Sequence, residues 1–263
     1  MANGFTVAAL FFGDYPQLAR RCLGSIVDSM DPNLVHSIRV GLNAVSQATR
    51  EVVHTYLEGV PASTQVLVYD TGTVNRFKYP LMRKILRQPA VTTQFFAWFD
   101  DDSCLAYKTA AEGRAWWSVA HVVMQQADQI GSIYYKGLEG QQAKLVYRQP
   151  WYNGKPLPPG YLYTFATGGF WMIRTRILQQ WDWPPLALIH NGGDTLLGEL
   201  MRQQNYRLRP FKQGVWVNAD AQGRESKAPR RGISQPPFGA VDVPADPTVH
   251  DFSLLPFDPR ERT

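Results

Sequence analysis

Asp100, Asp101 and Asp102 stand in a row where the apolar run Phe95-Phe96-Ala97-Trp98-Phe99 ends. Three like charges at a strand end repel one another and resist desolvation, so they are costly unless a cation sits among them. Hard carboxylate oxygens in so short a cluster suit Mg²⁺ or Mn²⁺. Such ions commonly hold a few carboxylates, several waters and the phosphates of a substrate, which is how a nucleotide diphosphate is gripped. The other reading is a solvated acidic turn that caps the following helix.

Two further segments carry groups of the same kind. Gly168-Gly169 precedes Phe170-Trp171, and side-chain-free backbone there can approach a ligand and offer N–H donors, as a sugar or phosphate pocket needs; the alternative is a strand-entry turn. Asp194 follows Gly192-Gly193 and precedes Thr-Leu-Leu-Gly-Glu-Leu-Met, so it reads as a helix N-cap, a role compatible with that of a general base. Glu199 is the fallback base. Cys22 and Cys104 lie in apolar settings without metal-ligand spacing and read as small buried hydrophobes.

These groups need a scaffold, and the hydrophobic pattern supplies one. Residues 5–12 read as a buried strand, Gly13-Asp14-Tyr15-Pro16 as a turn, and the stretch to about 29 as an amphipathic helix. A strand at 35–42, a helix opened by Ser46 and running to Glu58, a strand at 64–69, a helix at about 80–88 and a strand at 94–99 continue the alternation. Alternating strands and helices predict an α/β fold with a mostly parallel central sheet flanked by helices, and such sheets bind ligands beyond the carboxyl ends of their strands, where the acidic triplet falls. Further on, the pattern predicts a helix over 108–128, a strand at 132–135, a hairpin around Trp151-Tyr152-Asn153-Gly154, a strand at 170–173 and a helix opening near Gly193-Asp194. From Ala219 the chain is rich in Pro, Gly and charge, so residues 1–218 are expected to form the catalytic domain and 219–263 a flexible lid or tail contributing to the active site.

Composition narrows the class. At 263 residues, with 44% hydrophobic and 19% charged residues, the chain is an ordinary globular protein rather than a disordered or fibrous one. A formal charge of +5 favours acidic partners such as nucleotide sugars, anionic surfaces or nucleic acid. No run is long enough to span a bilayer and the N-terminus lacks a signal-peptide pattern, so the expectation is a cytoplasmic protein without a membrane anchor, in the host cytoplasm if phage-encoded. The oligomeric state is left open.

Three segments in order resemble nucleotide-sugar glycosyltransferases of the GT-A fold. Pro16-x-Leu18-x-Arg20-Arg21-Cys22-Leu23-x-Ser25-Ile26 is similar to the start of many family-two members, and Asp100-Asp101-Asp102 to the DXD metal motif. Phe165-Ala166-Thr167-Gly168-Gly169-Phe170, with the later Gly192-Gly193-Asp194, resembles the Fringe-like transferases. The likeness covers about residues 5–218 and extends to phage-type DNA-modifying glycosyltransferases. It implies metal-dependent transfer from a nucleotide sugar, a UDP-sugar before others, to an acceptor hydroxyl with inversion, with Asp194 as base and Mn²⁺ or Mg²⁺ held by Asp100, Asp102 and His250. His190 competes with His250 for the metal, whereas His36, His54 and His121 fall in strand or helix patterns and read as structural. The donor would meet Asp14 and Tyr15 after the first strand, Asp70 after the third, Asn75, Arg76 and Lys78 in the next loop, and Asp100, Asp101, Gly168 and Gly169. Arg230 and Arg231 could close on the diphosphate as a cationic clamp.

A soluble, basic enzyme of this kind fits two acceptors, a 5-hydroxymethylpyrimidine in DNA or a surface glycan. For DNA, Trp151, Tyr152 and Trp171 could stack on an extruded base. Two other classes stand beside this reading. A nucleotidyltransferase or other Mg²⁺-dependent nucleotide enzyme would usually carry a Gly-rich phosphate loop after the first strand, which Gly13-Asp14-Tyr15-Pro16 is not. A non-enzymatic nucleic-acid-binding module leaves the triplet unexplained.

Overall fold

The computed structural model describes residues 1–137, 146–156, 162–189 and 192–217. Strands β1 (Ala2–Phe12), β2 (Val35–Asn43), β3 (Gln65–Asp70) and β4 (Thr93–Asp100) alternate with helices α1 (Pro16–Ser29), α2 (Gln47–Glu58) and α3 (Lys78–Arg87). Then come β5 (Cys104–Leu105), α4 (Ala110–Gln125), β6 (Gln129–Gly137), β7 (Leu162–Arg174), α5 (Thr175–Gln180), α6 (Gly193–Gln203), β8 (Leu208–Pro210) and β9 (Val215–Trp216).

Seven strands form one sheet in the order β3-β2-β1-β4-β7-β6-β8. The β3–β2, β2–β1, β1–β4 and β6–β8 pairs are parallel, while β7 runs antiparallel to both β4 and β6. The three runs at 5–12, 64–69 and 94–99 therefore lie in one sheet, as expected. The sheet is covered on both faces, which is why β1 and β4 read as continuous apolar runs. Phe5, Val7, Ala9 and Phe11 pack with Leu23, Val53 and Trp117 beneath α1, α2 and α4. Ala8, Leu10, Phe96 and Trp98 pack with Leu81, Ile85, Ile177 and Leu196 beneath α3, α5 and α6. Local chemistry sets the helix starts: Pro16 opens α1, the Ser46 hydroxyl accepts the Thr49 N–H at 3.2 Å to cap α2, and Thr109 accepts the Glu112 N–H at 3.2 Å to cap α4.

The predicted hairpin around Trp151–Gly154 is corrected. Gly154 does turn, at φ 68°, but residues 151–156 carry no strand. The strands that pair across this region are the longer β6 and β7, and 146–156 lies in their connection. Trp151 belongs to the second core, which pins the connection down and hides the ring.

β7 holds the irregularity that matters most. On β6, Gly131 pairs with Trp171 and Ile133 with Ala166, so residues 167–170 of β7 stand opposite a single residue, Ser132. Such a bulge re-aims the backbone. Meanwhile Phe170 still pairs with Phe99 of β4, so Gly168-Gly169 is held beside the end of β4 and hence beside Asp100.

Among the described residues, no helix is long and apolar enough to cross a membrane.

Helix α6 lies on β7 by close backbone approach, because a Cβ at Gly198 would come within 2.5 Å of both the Thr164 carbonyl and Phe165 Cβ. Gly198→Ala should thus be destabilising by about 1–3 kcal/mol, as overpacking against backbone that cannot yield. Urea unfolding with unchanged m would read this as a lower midpoint.

Candidate active site

At the end of β4 each oxygen of the Asp100 carboxylate has one partner and keeps a further lone pair. Its Oδ1 accepts the Trp98 indole N–H at 2.8 Å and its Oδ2 accepts the Lys78 ammonium at 2.6 Å. Lys78 also donates to the Gly168 carbonyl at 3.2 Å and lies 5.8 Å from the Trp98 ring centroid. With the Lys78 and Asp100 side chains only 16% and 25% exposed, the pair is less screened than a surface ion pair.

The loop before α3 aims that lysine. Asn75 Oδ1 accepts both the Asn43 side-chain amide at 2.9 Å and the Phe77 N–H at 2.7 Å, while Asn43 Oδ1 accepts the Arg76 N–H at 2.8 Å. This lock holds Phe77 at φ 64°, a conformation that a bulky residue adopts only when its surroundings impose it. Asn75, expected to face the donor, therefore has its carbonyl oxygen committed to the loop. Asn43, Trp98 and Tyr79 were not singled out from sequence, although an Asn at a strand end beside an Asn-containing loop was a usable signal.

Asp194 sits in the first turn of α6. The N-cap is Gly192, in the left-handed region at φ 77°, rather than Asp194 itself, whose Oδ1 accepts the Thr195 N–H at 2.9 Å. Burial pushes the Asp194 carboxyl above the ordinary aspartate range; the Lys78 charge and the N–H groups of Thr195 and Gly168 hold it back, and Asp100 pushes it up further. A Cβ built on Gly168 would lie 3.3 Å from Lys78 Nζ and 3.6 Å from Asp194 Oδ2. Lys78, Asp100, Gly168 and Asp194 thus converge at one point, brought by α3, β4, β7 and α6.

The remaining candidates divide. Gly168 faces the cluster, whereas a Cβ at Gly169 would meet Val217 Cγ1 at 2.4 Å and Ser103 Oγ at 2.9 Å, so that side of Gly169 is covered by packing. Asp101 is 5% exposed, and after burial its charge is the next cause of the raised Cys22 thiol. Asp102 is half-buried. Asp14 is exposed after β1 and accepts the Ser46 hydroxyl at 2.6 Å, and the Tyr15 N–H donates to Thr49 at 3.0 Å. Asp70 forms an ion pair with Arg50 and accepts the Gly72 N–H at 2.8 Å, and Arg76 is exposed.

Glu199 is excluded as a fallback base, being 1% exposed and occupied by Arg202 at 2.6 Å and Gln203 at 2.8 Å. Trp151 and Trp171 are 1% and 2% exposed and cannot stack on an extruded base; Tyr152 is half-buried. His36 and His121 each contact Asn3 at 2.9 Å, in agreement with structural roles. His190, Arg230, Arg231, His250 and the 219–263 segment lie outside the described residues.

Among the described residues no group of three His, Cys, Asp or Glu side chains is gathered as for a metal ion. Asp100 and Asp102 remain a hard-oxygen pair at a strand end. That donor set fits an ion that takes the rest of its shell from water and a diphosphate.

No family model and no curated protein matches the sequence. Solved structures do match the fold. The mannosyltransferase PcManGT from Pyrobaculum calidifontis, in complex with GDP-Man and Mn²⁺, superimposes with a TM-score of 0.52 at 16% identity over 79% of this chain and 54% of its own. S. aureus TarS 1-349 gives 0.51 at 15% identity over 79% and 58%, and its complex with UDP 0.50 at 16% identity over 79% and 57%. The chain spans a little over half the length of these structures. The chain has the fold of GT-A-type glycosyltransferases.

The raised Asp194 carboxyl makes a prediction about stability. A carboxyl whose pKa is higher folded than unfolded binds its proton more tightly in the native state. Its contribution is therefore fully present below the unfolded value and is lost as pH rises to the folded value. Asp194→Asn, which can keep the Thr195 contact through its Oδ1, should be more stable than wild type at pH 7 and show little difference at pH 3. Urea midpoints at the two pH values test this.

Proposed function

We propose that the chain is a nucleotide-sugar glycosyltransferase that moves a sugar from a UDP-sugar to an acceptor hydroxyl with inversion. The observation that carries the reading is the convergence of Lys78, Asp100, Gly168 and Asp194 at the carboxyl edge of a GT-A-type sheet. One fold neighbour is in complex with GDP-Man and Mn²⁺ and another with UDP, which supports a nucleotide-diphosphate donor here.

In this reading Asp14, Tyr15, Asp70 and Arg76 line the nucleoside side, and Lys78 and the Gly168 backbone hold the donor's leaving side. Asp100 and Asp102 would hold Mn²⁺ or Mg²⁺, which supplies positive charge to the departing diphosphate. Asp194 takes the acceptor O–H proton. The acceptor oxygen bonds to the anomeric carbon, the bond from that carbon to the phosphate oxygen breaks, and the nucleoside diphosphate leaves with the electron pair. A carboxyl raised by burial is suited to this work, because a base poised nearer the working pH accepts the proton more readily. Residues 219–263 complete the site, with Arg230 and Arg231 on the diphosphate and His250 at the metal. The net charge of +5 favours a polyanionic acceptor, and a 5-hydroxymethylpyrimidine in DNA is proposed ahead of a surface glycan.

The test incubates the full chain with Mn²⁺ and a panel of nucleotide sugars, with hydroxymethylated DNA, plain DNA or simple glycans as acceptors, and weighs the products by mass spectrometry. A hexose-sized gain confined to nucleosides from hydroxymethylated DNA is expected. Gain on a glycan instead would overturn the DNA acceptor, and no transfer to any acceptor would overturn the enzyme class. In the productive arm, Asp194→Asn should lower kcat by about 10²–10⁴ with donor affinity retained. Asp102→Ala should remove the stimulation by Mn²⁺ and weaken UDP binding in its presence. Full activity in excess EDTA would contradict the metal assignment.

A further inference from the structure

Tyr79, next to the lysine of the cluster, does work that the reaction scheme leaves unassigned. It is 4% exposed, and its N–H donates to the Ile189 carbonyl at 3.1 Å, tying the start of α3 to the segment that leads into α6. Its ring lies against Trp183, with centroids 6.1 Å apart and planes at 80°. The hydroxyl end lies over the first turn of α6, since a Cβ at Gly193 would come within 2.2 Å of Tyr79 Cζ and 2.4 Å of its hydroxyl oxygen. Burial raises that hydroxyl well above the usual tyrosine range, and the backbone N–H groups of Gly193 and Asp194 beside it hold it back.

The first turn of a helix has N–H groups without intrahelical partners, usually met by the side chain of an N-cap residue. Here the N-cap is Gly192, which has no side chain, and no side-chain cap hydrogen bond is present. An acceptor carried by another helix, the Tyr79 hydroxyl, lies over that turn. Gly193 is then required for space: any larger residue would drive the Tyr79 ring and the start of α6 apart.

We propose that Tyr79 is a positioning residue that caps α6 in trans and so fixes Asp194 against Gly168 and Lys78. Consecutive residues of α3 thus serve the same carboxylate, Lys78 through charge and Tyr79 by holding the helix that carries it. The inference rests on the reading of Asp194 as the base.

The test is Tyr79→Phe in the full chain, which keeps the ring and removes the hydroxyl, with two readouts. Amide hydrogen exchange at Gly193 and Asp194 should quicken about tenfold, the scale of one lost hydrogen bond, with the β1 and β4 amides unchanged. Unchanged exchange at those two amides would overturn the cap. In transfer assays kcat should fall about tenfold with the KM for the nucleotide sugar within about twofold, because positioning of the base acts on the chemical step. Unchanged kcat, or a fall in donor affinity equal to the fall in kcat, would overturn the positioning role. Wild-type protein that transfers no sugar to any acceptor would instead sink the glycosyltransferase reading, and the exchange arm would still decide the cap.

Discussion

The site is organised around one electrostatic constraint: carboxylates brought to a common edge of the sheet need positive charge among them. Lys78 meets part of that need from within the chain. Its ammonium holds Asp100, reaches the Gly168 carbonyl and faces Asp194. Without it, two acidic groups on separate elements would repel across a poorly solvated gap, and either α6 or the end of β4 would have to move towards water. The ordering of the surrounding backbone follows from holding one lysine in place.

That ordering draws on features which look unfavourable when taken singly. Phe77 sits in the left-handed region, four residues of β7 stand opposite one residue of β6, and α6 begins without a side-chain cap of its own. Each departure is compensated by a neighbour. The Asn43–Asn75 amide pair holds the Phe77 turn, Phe99–Phe170 pairing anchors the bulge, and Tyr79 covers the head of α6. Local irregularity concentrated beside a chemical centre, within an otherwise regular sheet, is how folds place groups that regular geometry would keep apart.

Much of this framework could be read from the residues. The apolar runs of β1, β3 and β4 and the Ser46 cap followed from pattern and capping chemistry, because a sheet buried on both faces leaves a strong local signal. The acidic triplet and Gly168 stood out for a similar reason, since their residue types are costly or special in context. Contacts between distant segments were not legible. Nothing in sequence tells that Gly169 lies under Val217, that Glu199 is occupied by Arg202, or that Trp151 and Trp171 are core rather than surface. Tyr79 was hidden for the same reason: its role depends on a glycine 114 positions later, and only the fold makes them neighbours.

Cys22 gives the acidic corner a built-in reporter. Its thiol lies beneath the triplet, 3.5 Å from the Asp100 carbonyl oxygen, and burial together with the surrounding carboxylates disfavours the thiolate. Cys104, the other thiol of the chain, is also buried and raised just past the triplet. Both sulfurs are covered by packing, so alkylation of the native chain depends on opening of this corner. The rate of alkylation of the native chain is therefore a clock for breathing motions at the strand end, readable without substrate, metal or any engineered probe.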